Sequence, residues 1–77
     1  MTPAEADQRI ILSRNTLVRY AEMAAAGQIP IGDMRLIGDE IAILETIAEE
    51  HPGKATKLEG LIERWMGFRV WIRVKLH

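Results

Sequence analysis
The sequence predicts a mostly α chain: a small antiparallel domain of three helices that ends in a single β-strand. Three observations carry that reading. A helix-start signature opens the chain and is followed by apolar residues at helical spacing. A seam of apolar residues spaced alternately three and four apart occupies the middle. The last ten residues switch to strict two-residue alternation. The length of 77 residues allows one domain, residues 1–77, and leaves no room for a second core. With 48% hydrophobic and 27% charged residues, the composition is that of a globular chain.

The first helix is expected over residues 3–27. Thr2-Pro3-Ala4-Glu5 reads as a capping box, with Pro3 at the first helical position, where a missing N–H costs nothing. Ala6, Ile10, Leu17, Ala21 and Ala24 then mark one apolar stripe, and Leu12, Tyr20 and Met23 mark a second. Two apolar faces imply contact from both sides. Gly27 is the natural stop, because it accepts the left-handed conformation.

Gln28 to Gly32 reads as a connector, and Asp33 as the cap of a second helix over 34–51. Met34, Ile37, Ile41, Leu44 and Ala48 form its seam, widened by Leu36, Ile43 and Ile47. The seam is expected to pack on Ile10, Leu17 and Ala21. Gly38, one turn before Ala42, suggests a close helix approach. Pro52 ends this helix. A third helix is expected over 54–66, with Leu58, Leu61, Ile62, Trp65 and Met66 as its apolar face, and Gly67 interrupts it.

From Phe68 onward the period changes. Phe68, Val70, Ile72, Val74 and Leu76 alternate with Arg69, Trp71, Arg73, Lys75 and His77, which reads as a strand over 68–76. A continued helix would set Arg69 and Arg73 amid apolar positions, which favours the strand. Its edges need a partner strand. The same strand from a second subunit is the natural one, which makes a homodimer the expected assembly, with Phe68, Val70, Ile72 and Val74 at the interface.

No catalytic constellation emerges, and no enzyme activity is expected. The chain has no cysteine, so thiolate metal sites are excluded. His51 is preceded at the helical spacings by Ile47 and Ala48, which are not ligands, and His77 is terminal, so no metal is expected. The carboxylates of Asp39, Glu40, Glu45, Glu49 and Glu50 read as a solvated acidic face. Ser13 stands far from either histidine, and no glycine-rich phosphate loop is present, so no cofactor is expected either.

Charge is the distinctive feature. Residues 1–50 carry four arginines against nine acids, and residues 51–77 carry six basic residues against Glu59 and Glu63. On a strand, Arg69, Trp71, Arg73 and Lys75 would share one basic face, which makes them the candidate partner-binding residues. The expectation is a small interaction protein that binds and modulates a larger protein assembly, in the manner of bacterial or phage accessory and inhibitor proteins. The alternative is a nucleic-acid-binding regulator that uses the same segment on phosphates. No targeting segment or membrane-length apolar run is visible, which points to the cytoplasm and away from a membrane partner.

Overall fold
The computed structural model describes residues 1–28 and 34–75. Three helices build it: α1 (Pro3–Ala25), α2 (Met34–Glu50) and α3 (Ala55–Lys75), with a 3-10 turn over Pro52–Lys54 leading into α3. Ile29 to Gly32 of the connector, the Asp33 cap, Leu76 and His77 lie outside the described residues.

α1 begins and ends as its sequence dictates. The Glu5 N–H donates to Thr2 Oγ1 and the Thr2 N–H donates to Glu5 Oε1, each at 3.1 Å. The hydrogen bonds that Glu5 makes to Thr2 hold its carboxyl below the ordinary value of 4.5. At the other end Gly27 takes φ +80°. There the Gln28 N–H reaches the Met23 carbonyl at 2.8 Å and the Gly27 N–H reaches that of Ala24 at 3.0 Å, closing a Schellman-type cap.

Cross-contacts fix the helix directions. Arg9 meets Glu40, and His51 meets the Met1 carbonyl, so α1 and α2 run antiparallel. Asp7 meets Lys54, Ser13 meets Trp65 and Tyr20 meets Phe68, so α3 returns parallel to α1. The result is an up-down-up bundle with principal extents of 38 × 18 × 17 Å.

The core joins Ala6, Ile10, Leu17 and Ala24 of α1, Ile37, Ile41, Leu44 and Ile47 of α2, and Leu58, Leu61, Trp65, Phe68 and Ile72 of α3. Ile37, Ile41 and Leu44 of the α2 seam are buried as their spacing implied, but Met34 and Ala48 pack only partly and Ile47 takes the last deep position. The partner of α2 is chiefly α3 and only secondarily α1. Ala21 is exposed. Gly38 marks no close approach, since a Cβ there would meet nothing within 4 Å.

The strand expected over 68–76 does not form across its described residues, 68–75. α3 continues through Gly67 to Lys75, and there is no strand among the described residues. The strand-paired subunit interface of Phe68, Val70, Ile72 and Val74 falls with it. Phe68 and Ile72 are instead buried in the chain's own core, while Val70 and Val74 face outward, 57% and 69% exposed. The physical reason lies in a second period that overlaps the first. Leu58, Leu61, Trp65, Phe68 and Ile72 are spaced three, four, three and four, which makes one helical stripe that crosses Gly67 unbroken. A helix also pairs its backbone groups internally, whereas a lone strand leaves them open.

Gly67 therefore sits at an exposed position inside a helix, and a Cβ there would meet nothing within 4 Å. Gly67→Ala is expected to stabilise the protein by about 0.5–1 kcal/mol by removing backbone freedom from the unfolded chain. Urea unfolding would read this as a higher midpoint at unchanged slope. A lower midpoint would be the mark of a glycine needed for a turn.

Candidate functional site
No group of metal-ligating residues is assembled among the described residues. Ser13, the lone serine, is fully buried and accepts a hydrogen bond from the Trp65 indole N–H at 2.9 Å, so its hydroxyl is spent inside the core. His51 lies at the surface, with Nε2 at 3.1 Å from the Met1 carbonyl oxygen. Two ion pairs clasp the helices. Arg9 grips Glu40 in a bidentate pair at 2.7 and 2.5 Å, and Lys54 donates to Asp7 at 2.6 Å. The hydrogen bond from Lys54 is the main cause that holds the Asp7 carboxyl below its ordinary value of 3.8.

The chemistry left open at the surface is a basic groove between α1 and α3. Ile10 and Leu61 form its floor, Gly60 leaves it uncovered, and Arg14, Lys57 and Arg64 stand around it, enclosing about 290 Å³. No acidic residue lines it. Lys57 and Arg64 are one heptad apart on α3, so helical geometry sets them on one side, and Arg14 joins them from one turn beyond Ile10 on α1. None of the three cations has an ion-pair partner among the described residues.

The same side of α3 continues to Trp71 and Lys75. Lys57, Arg64, Trp71 and Lys75 fall on one narrow stripe, spanning about 27 Å at 1.5 Å per residue. Trp71 is 40% exposed yet held: Phe68 stacks on it at 6.4 Å and 15°, and the Lys75 ammonium lies 5.6 Å from its ring centre. A large aromatic surface fixed in place before a partner arrives loses little freedom on binding.

The four residues singled out as a basic face are thus split by the helix. Trp71 and Lys75 lie on the groove side. Arg73 is exposed about half a turn away. Arg69 is half-buried, and its Nε is enclosed with no hydrogen-bond acceptor among the described residues. Arg14, Lys57 and Arg64 escaped the sequence reading. The heptad spacing of Lys57 and Arg64 was visible in the chain, but only packing brings Arg14 to them.

The charge split survives in three dimensions. Asp39, Glu45, Glu49 and Glu50 are exposed on α2, while the groove belongs to α1 and α3. Among the described residues, no helix is long and apolar enough to cross a membrane. Compared with protein families, with curated proteins and with solved structures, the chain matches none.

Proposed function
We propose that the protein is a non-enzymatic interaction protein of the cytoplasm that binds an acidic segment of a partner protein in the groove between α1 and α3, and so modulates the assembly to which that partner belongs. The observation that carries this reading is the set of three uncompensated cations, Arg14, Lys57 and Arg64, around an apolar floor of Ile10 and Leu61. Three cations alone would suit any polyanion. The floor selects a ligand that also brings an apolar side chain, which an amphipathic acidic peptide does and a phosphate backbone does not. The exposed acids of α2 further oppose a polyanion that approaches broadly.

Gly60 offers a clean test. A side chain there has open space, so Gly60→Leu would cover the floor and, by helix propensity, fold at least as well as the parent. Amide NMR spectra would be followed during titration with an amphipathic peptide of alternating Glu and Leu. The expected result is saturable shifts at residues 14, 57, 60 and 64 that disappear in Gly60→Leu and in Arg14→Ala/Arg64→Ala. Absence of shifts would reject the reading. Nucleic-acid binding is the second reading, favoured by Trp71 and Lys75 at the end of the basic stripe. Stronger shifts from a single-stranded oligonucleotide, falling steeply with salt, would replace the first reading by this one.

A further inference from the structure
α3 has a face that neither enters the core nor lines the groove. Leu58, Leu61, Trp65, Phe68 and Ile72 turn inward. On the opposite side Glu59, Glu63, Met66, Val70, Arg73 and Val74 are exposed, with Ile62 and Arg69 half-buried at the margin. Ile62, Met66, Val70 and Val74 follow at four-residue steps and form one continuous row. α3 is therefore apolar on two opposite sides, the pattern of a helix that is contacted on both.

The charges on this face are sorted by position. Glu59 and Glu63 stand one turn apart in the first half, and Arg69 and Arg73 stand one turn apart in the second. Both are like-charge pairs, which oppose each other along a helix. None of the four has an ion-pair partner among the described residues.

We propose that this face binds the same face of a second copy of the chain, antiparallel, about a two-fold axis at Met66. Residues equally far from Met66 on either side then oppose one another. That register sets Ile62 against Val70, Glu63 against Arg69 and Glu59 against Arg73, each twice, with Met66 against itself. Apolar meets apolar, and every charge meets its opposite. A parallel pairing would put Glu on Glu and Arg on Arg. A shift of one turn in either direction keeps half of the charge pairs. The second copy's Glu63 also brings a carboxylate to the Arg69 guanidinium, which has no ion-pair partner among the described residues. A membrane of anionic lipid or a nucleic acid would instead meet Glu59 and Glu63 as like charges, so a second copy is the occupant this face fits. The basic groove lies on a different side of α3 and stays open in such a dimer, so this inference stands apart from the proposed function.

Sedimentation equilibrium of the full chain tests it. The parent is expected to be a dimer at micromolar concentration. Met66→Asp puts two like charges on the axis and should raise the dimer dissociation constant by about a hundredfold or more, with helix content by circular dichroism unchanged. Glu59→Arg and Arg73→Glu alter only exposed side chains, and each alone should weaken the dimer by about tenfold. Mixed in equal amounts, these two variants should form a mixed dimer at parental strength, because every charge pair is then restored. A parent that stays monomeric at about a hundredfold higher concentration overturns the proposal, as does a Met66→Asp protein that dimerises like the parent. A mixture no stronger than its components also overturns it. Peptide binding in the groove, read on the same variants, reports separately on the proposed function.

Discussion
Replacing Trp65 by alanine is expected to leave most of the chain unfolded at room temperature. The Trp65 side chain is fully buried and contacts Tyr20 edge-on at 6.0 Å and Phe68 at 6.4 Å. Its indole N–H also satisfies Ser13. Truncation of a buried tryptophan costs about 3–5 kcal/mol, and the core of a domain this small supplies about the same amount. Two milder variants separate packing from hydrogen bonding. Trp65→Phe keeps much of the ring but strands the buried hydroxyl, and Ser13→Ala strands the indole N–H. Each is expected to cost about 1–3 kcal/mol, the range for an unsatisfied buried polar group. The double variant Ser13→Ala/Trp65→Phe should cost less than the sum, because neither polar group is then left alone. Urea unfolding of the four proteins measures the coupling, and simple additivity would show that the bond contributes nothing.

Leu44→Ala is expected to cost about 2–5 kcal/mol, whereas Ile43→Ala, one residue away, should stay within about 0.5 kcal/mol of the parent. Leu44 is fully buried in the α2 seam, and Ile43 is 38% exposed on its flank. Composition and hydropathy treat the two residues nearly alike, so the contrast isolates position on the helix. Comparable losses in the two variants would mean that the flank of α2 that carries Ile43 is covered as well, a result that urea midpoints at two protein concentrations would trace to self-association.

Where a local signal had one solution, the sequence was legible. The Thr2–Glu5 capping box, the left-handed stop at Gly27 and the break at Pro52 are each decided by a few adjacent residues, and the helices start and stop within a few residues of them. The seam of Ile37, Ile41 and Leu44 has a single period and is buried accordingly. The candidate partner-binding residues were less legible, because their placement depended on the period assigned after Gly67. Trp71 and Lys75 reach the basic side, whereas Arg69 and Arg73 do not join them.

By itself the sequence determined that this is a mostly helical single core without cysteine chemistry, with an acidic first part and a basic last part. Tertiary structure alone decided residues 68–75 and the groove. From Phe68 to Val74 the chain satisfies two periods at once, because both faces of α3 are apolar. Local pattern cannot choose between them. Packing chooses, since only the helix drives Trp65, Phe68 and Ile72 together into the space left by α1 and α2. The meeting of Arg14 with Lys57 and Arg64 is of the same kind: residues on separate helices become neighbours only when the helices pack, and no spacing along one chain records it.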